Sequence, residues 1–119
     1  MAKTDDITIF HNPNCSTSRK ALQMIRDAGH SPTVVEYLKT GWTKAQLKDL
    51  LSRMGAKPRD ILRTRGTPAE DMGLIAPGAS DEALLDAMVA NPVLVERPIV
   101  ASAKGVALGR PLEKIEPLL

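Results

Sequence analysis

The sequence contains little cysteine, few aromatic residues and little excess charge. Of its 119 residues one is cysteine, and Phe, Tyr and Trp together make up 3%. One cysteine forms neither an internal disulfide nor a cysteine framework for zinc, so we expect a compartment that keeps thiols reduced, the cytoplasm. The formal net charge of +2 argues against a nucleic-acid partner, because nucleic-acid binding usually requires a basic face.

Long apolar segments are also missing. No run approaches the about 20 residues that span a bilayer, and the polar start at residues 1–6 is not followed by the apolar core of a signal peptide. We therefore expect no membrane partner. With 43% hydrophobic and 25% charged residues, the composition predicts a single folded domain over residues 1–119, with a mainly aliphatic core.

The single cysteine, Cys15, lies where a strand is predicted to give way to a helix. Residues 7–10 form a short apolar run, residues 12–14 mark a turn, and helical spacing of apolar residues predicts a helix over about 16–28. The first N–H groups of a helix lack intrahelical partners and lie at its positive end. A thiolate is stabilised at such a point, and the same N–H groups can bind an oxyanion.

Two residues near Cys15 are possible cations, His11 just upstream and Arg19 one helical turn further on. A lone cysteine is often only a small buried hydrophobic residue. The position between strand and helix nevertheless favours a reactive thiol, because a helix start is one of the settings that lower a thiol pKa.

The first half of the chain predicts a βαβ unit followed by helices. A second strand over residues 33–38 would pair in parallel with the first. Residues 43–91 read as a helical insertion that packs over this unit and is not a separate domain. Capping boxes at residues 43–46 and 67–70 mark two helix starts within the insertion.

The end of the chain predicts two more strands and a helix. Residues 98–101 and 106–108 fit an antiparallel hairpin, and Leu112, Ile115 and Leu119 form the apolar face of a final helix. The fold class is therefore α/β and thioredoxin-like, a mixed four-stranded sheet with a helical insertion between strands 2 and 3. Such folds are expected to carry a cis bond before the proline that begins strand 3, here Arg97–Pro98.

Three arginines lie beside residues that shape the backbone. Arg97 precedes Pro98, Arg110 lies in a Gly-Arg-Pro turn, and Arg63 lies in the insertion. The planar guanidinium fits tetrahedral oxyanions, although most arginines are simply exposed. In a thioredoxin-like fold Arg97 would approach Cys15, whereas the sequence leaves the distances of Arg63 and Arg110 open.

Several of these motifs together resemble the glutaredoxin-coupled arsenate reductases. The resemblance includes the run His-Asn-Pro-Asn-Cys-Ser-Thr-Ser-Arg at residues 11–19, Ile-Leu-Arg at 61–63, Asn-Pro at 91–92, Glu-Arg-Pro-Ile-Val at 96–100 and Gly-Arg-Pro at 109–111. It extends over essentially the whole chain.

The resemblance implies an enzyme in which Cys15 attacks arsenate and His11 influences the thiol. It implies that Arg63, Arg97 and Arg110 bind the oxyanion, and we place Ser18 among the substrate-binding residues. Glutathione is then a co-substrate and glutaredoxin a partner, with no bound cofactor and no metal. A chain with one cysteine must take its remaining thiols from outside, which agrees with this scheme.

Two other functions remain open from the sequence. Redox regulators that bind RNA polymerase are similar along the whole chain, and many carry a second cysteine three residues after the first, where this chain has Ser18. The other possibility is a glutathione-dependent oxidoreductase with a different substrate. The family's larger members carry a longer C-terminal tail that is expected to affect partners or efficiency, and some short relatives are expected to use a main substrate other than arsenate.

Overall fold

The computed structural model describes residues 7–119, and these form two compact units. The first consists of the described part of Met1–Thr40 together with Arg97–Leu119, and the second is Gly41–Glu96. The polar start predicted for residues 1–6 lies outside the described residues. That the insertion packs over the βαβ unit within one domain stays a prediction.

The first unit contains the whole sheet. Its strands are β1 (Thr8–Phe10), β2 (Thr33–Val35), β3 (Ile99–Ser102) and β4 (Gly105–Leu108), in the order β2-β1-β3-β4. β1 is parallel to β2 and antiparallel to β3, and β3 is antiparallel to β4. The predicted mixed four-stranded sheet and its terminal hairpin are confirmed.

Helix α1 (Ser16–Asp27) connects β1 to β2, as predicted. Ala21 and Ile25 on this helix are completely buried, because their spacing of four residues places them on one helix face. They contribute to a core that also contains Ile7, Ile9, Val100, Ile115 and Leu118. Burial of these aliphatic side chains fixes the start of α1 relative to the sheet.

Two predicted elements of the first unit differ in the structure. The predicted strand 33–38 ends at Val35, because the Glu36 carbonyl accepts the N–H groups of Lys39 and Thr40 and a short helix α2 (Tyr37–Thr40) begins. The final helix is a 3-10 helix over Leu112–Leu118 with Pro117 inside it. Proline lacks the N–H that an α-helix requires.

The second unit is helical, as predicted, with α3 (Lys44–Met54) and α4 (Asp81–Ala90) as its α-helices. Short 3-10 helices cover Pro58–Ile61 and Pro92–Leu94. Among the described residues no helix is both long and apolar enough to cross a bilayer.

Only the first of the two predicted capping boxes forms. Thr43 accepts the N–H of Gln46, whose side chain accepts the N–H of Thr43 in return. The box predicted at residues 67–70 is wrong, because the Thr67 hydroxyl instead donates to the backbone carbonyl of Arg63. Turns replace the predicted helix there.

Candidate active site

A tight turn connects the end of β1 to the start of α1. Phe10 pairs with Ile99, so the turn that follows begins beside the start of β3. Within the turn the Cys15 N–H donates to the Asn12 carbonyl at 3.0 Å, and the Asn14 N–H donates to the Asn12 side-chain oxygen at 3.0 Å. Cys15 is thereby fixed at the position preceding the first residue of α1.

Three buried polar residues support this turn from below, namely His11, Asn12 and Ser18. The Ser18 hydroxyl accepts the Asn12 N–H at 3.0 Å and lies 2.6 Å from His11 Nδ1. This hydroxyl is therefore already bonded within the protein. That Ser18 contacts the substrate stays a prediction. Its backbone N–H, which acts on the Cys15 sulfur, is better placed for such a contact than its hydroxyl.

The environment of His11 favours its neutral form. Burial lowers the pKa of its imidazole, and the charges of Arg26 and Arg19 lower it further, against an opposing effect of Glu36. The packing therefore works against a positive charge on His11 beside the sulfur. Arg19, the other possible cation, donates through Nη1 to the Pro13 carbonyl at 2.8 Å and so braces the turn.

Arg97 and Arg110 are the cations that the hairpin brings to the sulfur. Ile99 pairs with Leu108, and continuing this register by two residues places Arg97 opposite Arg110. Nε of Arg110 donates to the Arg97 carbonyl at 2.7 Å, and its Nη2 lies 3.7 Å from Cys15 Sγ. The predicted cis Arg97–Pro98 bond is confirmed, and Arg110–Pro111 is also cis.

These groups make Cys15 a more acidic thiol than usual. Burial raises its pKa, but the backbone N–H of Ser18, the charge and hydrogen bond of Arg97, and the N–H of Thr17 together outweigh burial, so the pKa is lowered. The Ser18 and Thr17 N–H groups lower the pKa through their positive ends, although the Cys15 side chain does not form a helix-capping hydrogen bond. The arrangement therefore favours a thiolate.

The structure brings Cys15, His11, Ser18, Arg97 and Arg110 together in the first unit. Arg63 belongs to the second unit, where its backbone N–H donates to the Leu94 carbonyl at 2.7 Å. The catalytic and substrate-binding roles of all six residues stay predictions. Within residues 7–119 no cluster of His, Cys, Asp or Glu has the composition of a metal site.

Sequence reasoning missed two features of this site. Asn12 holds the turn through both its backbone and its side chain, and the ability of asparagine to bond the N–H two residues on is a known turn signal. The pairing of Arg97 with Arg110 could also have been found, since a two-residue connection between β3 and β4 sets the register of the whole hairpin.

A cysteine with a lowered pKa at a helix start, approached by an arginine beside a four-stranded mixed sheet, is the arrangement expected of a thioredoxin-like protein with a reactive cysteine. A model of the ArsC family matches residues 10–118. Arsenate reductase ArsI2 of Synechocystis is 50% identical over 113 residues, covering 95% of this chain and 81% of the relative. Arsenate reductase of Escherichia coli K12 is 42% identical over 114 residues, covering 96% and 81%.

A solved structure of an arsenate reductase is also similar to this chain. Arsenate reductase from Vibrio cholerae superposes with a TM-score of 0.92 at 34% identity, covering 98% of this chain and 100% of that one. The chain belongs to the ArsC family, and its predicted thioredoxin-like fold is confirmed.

Proposed function

We propose that this protein is an arsenate reductase that uses glutathione and glutaredoxin as its source of electrons. The observation that carries the proposal is the contact between the Cys15 sulfur and the arginine pair at the open end of the hairpin. The names of its relatives support arsenate as the substrate. The glutathione and glutaredoxin steps are supported by the presence of one cysteine only.

The site suits the binding of a tetrahedral oxyanion. The N–H groups at the start of α1 and the guanidinium groups of Arg97 and Arg110 offer donors around the sulfur. We assign Arg63 to the same task on the strength of the family resemblance. The binding of a multiply charged anion beside a thiolate needs these cations, because they offset the repulsion between the two negative charges.

The chemistry begins with attack of the Cys15 thiolate on arsenic. A sulfur–arsenic bond forms, and one arsenate oxygen leaves as water after taking up protons. Glutathione then attacks the cysteine-bound arsenate, and arsenic accepts two electrons as the two sulfurs are joined in a mixed disulfide. Arsenite is released with arsenic in the lower oxidation state.

The final step restores the thiol. Glutaredoxin takes the glutathione moiety from the mixed disulfide through thiol–disulfide exchange, and Cys15 leaves as a thiolate. Its lowered pKa favours this step, because a sulfur of lower pKa is the better leaving group. The thiol pool that these steps consume exists in a reducing compartment, so we place the reaction in the cytoplasm.

The test is a steady-state assay of the purified full-length protein with arsenate, glutathione, glutaredoxin, glutathione reductase and NADPH. We expect NADPH consumption that requires arsenate, glutathione and glutaredoxin, each omitted in turn. NADPH consumption that continues without glutaredoxin would show that the reaction does not require glutaredoxin. No consumption with arsenate would reject the proposed substrate, and co-purification with RNA polymerase would then favour the regulator.

A further inference from the structure

The cysteine site has the groups that a second reaction needs, the reduction of a small hydroperoxide. Such a reaction requires an ionised sulfur, donors that stabilise the oxygen that leaves, and a route back to the thiol. Each requirement can be compared with the described residues of the first unit. None of them involves arsenate.

The first requirement is met by the position of Cys15 immediately before α1. The nucleophile in thiol chemistry is the thiolate, and the backbone N–H groups of Ser18 and Thr17 act on the sulfur. Cys15 retains 8% of its exposure. The sulfur is therefore not sealed from solvent, and hydrogen peroxide is the smallest hydroperoxide that could reach it.

The second requirement concerns the leaving oxygen. A thiolate with a lowered pKa is intrinsically a weaker nucleophile, so rapid reaction with peroxide needs assistance at the oxygen–oxygen bond. Arg110 Nη2 lies 3.7 Å from the sulfur, and Arg97 also bonds to the sulfur. Donors that face the sulfur also face the oxygens of a peroxide that the sulfur attacks. Preorganised donors of this kind stabilise developing negative charge.

The arginine pair is ordered without a bound substrate. Arg110 Nε donates to the Arg97 carbonyl at 2.7 Å, and this bond fixes the direction of the guanidinium. His11 Nδ1 lies 2.6 Å from the Ser18 hydroxyl, so this nitrogen is engaged within the protein and is not the proposed proton source. The leaving oxygen therefore takes its proton from solvent.

We propose that Cys15, assisted by Arg97 and Arg110, also reduces hydrogen peroxide as a one-cysteine thiol peroxidase. The thiolate attacks one peroxide oxygen, a sulfur–oxygen bond forms and the oxygen–oxygen bond breaks. The products are a sulfenic acid on Cys15 and hydroxide, which takes up a proton. Sulfur is oxidised by two electrons and the peroxide is reduced by two.

The third requirement, recovery of the thiol, depends on an external reductant. The sequence has no second cysteine, so the sulfenic acid cannot form an internal disulfide. A first glutathione condenses with it to a mixed disulfide and water, and a second releases the thiol and glutathione disulfide. This recovery rests on the thiol supply of the proposed function, whereas the oxidation step does not.

The test compares two reagents on the reduced full-length protein. Because Cys15 is the only thiol, its loss can be followed directly against pH, and each profile gives a rate constant for the thiolate alone. Hydrogen peroxide needs stabilisation of its leaving oxygen, whereas iodoacetamide releases iodide and does not. We expect the peroxide constant of the wild type to exceed that of simple thiols of equal pKa by at least about tenfold.

Variants assign this effect to the arginines. We expect Arg97→Ala and Arg110→Ala each to lower the peroxide constant by at least about tenfold, with little change in the iodoacetamide constant. Lys20→Ala, which removes an exposed cation from α1, should match the wild type. An equal ratio of the two constants in wild type, variants and simple thiols would overturn the proposal, and the wild-type ratio decides even if a variant does not fold.

A second measurement tests turnover. With hydrogen peroxide, glutathione, glutaredoxin, glutathione reductase and NADPH, we expect repeated cycles, and mass spectrometry with dimedone should trap the sulfenic acid on Cys15. One oxidation without recovery would overturn the peroxidase. Since no arsenate is present, failure of arsenate reduction leaves these results unaffected, and the reverse also holds.

Discussion

The two ends of the four-stranded sheet carry similar side chains but differ in what those side chains face. At one end the guanidinium of Arg110 approaches the titratable sulfur of Cys15. At the other end the Lys104 Nζ donates to the backbone oxygen of Leu119 at 3.0 Å, and the Lys104 N–H donates to the Ser102 hydroxyl.

The second end even includes a cavity of about 160 Å³, lined by Ile7, His30, Ser102, Ala103, Lys104, Leu118 and Leu119. What distinguishes the cysteine end is that N–H groups and arginines act together on a group that can lose a proton. Substitutions that remove one of these groups at a time test this comparison.

The largest effect is expected from Cys15→Ser. A hydroxyl at this position is not ionised near neutral pH and does not form the sulfur–arsenic bond, so arsenate reduction should be abolished. The fold should be retained, because serine is similar in size, and circular dichroism checks this. Retained turnover in the coupled assay would reject covalent catalysis by Cys15.

The arginine pair should contribute the next largest effect. Arg97→Ala or Arg110→Ala should weaken transition-state stabilisation by about 2–4 kcal/mol, as expected for loss of an oxyanion donor. The measurement is kcat/KM for arsenate, with circular dichroism as a check on folding. Lys104→Ala at the opposite end is the matched control and should retain wild-type kinetics. Equal effects at both ends would contradict the comparison.

Much of this comparison could be predicted from the sequence. The position of Cys15 follows from local signals, because an apolar run, a turn and helical spacing occur in direct succession. The same signals predicted α1 and the terminal hairpin. Periodicity alone did not find the end of β2 at Val35, since the chain turns there through hydrogen bonds from the Lys39 and Thr40 N–H groups to the Glu36 carbonyl, which the apolar pattern does not reveal.

The electrostatics of the site were less accessible to sequence reasoning. His11 was a possible cation by its position along the chain, but burial lowers its pKa and so disfavours the charged form, and burial is a property of the packed molecule. Arg19 was the other candidate, yet its guanidinium is bonded to the Pro13 carbonyl. Of the cations that act at the sulfur, Arg97 was expected there from the thioredoxin-like topology, whereas Arg110 is placed by the pairing of the hairpin strands.

A smaller effect is expected from Ser18→Ala, which tests the polar support beneath the turn. The change removes the acceptor of the Asn12 N–H and the partner of His11 Nδ1, both of them buried. Leaving such groups unsatisfied should lower the free energy of unfolding by about 1–3 kcal/mol. Urea denaturation measures it.

Ser16→Ala is the control for Ser18→Ala, because Ser16 lies in the same turn of α1 but is exposed. Its effect on stability should be much smaller. If both variants lose equal stability, the cost comes from the helix start in general and not from the buried hydroxyl.

The smallest expected effect is a dependence of stability on pH that belongs to Cys15 alone. Its pKa is lowered in the folded protein, whereas the unfolded chain has an ordinary thiol of pKa about 8.5. Between these values the unfolded state binds more protons, so the free energy of unfolding rises with pH. It levels off above the unfolded pKa and loses this contribution as pH falls through the folded one.

Comparison with Cys15→Ser isolates this contribution, because all other titrating groups are shared by the two proteins. Urea denaturation of both, from pH 6 to 9, should show the wild type gaining stability relative to the variant by about 1.4 kcal/mol for each whole pKa unit between folded and unfolded thiol. A parallel dependence in the two proteins would mean that the helix start and Arg97 do not favour the thiolate. In that case the thiol at the cysteine end would titrate as an ordinary thiol does, and the contrast between the two ends would be lost.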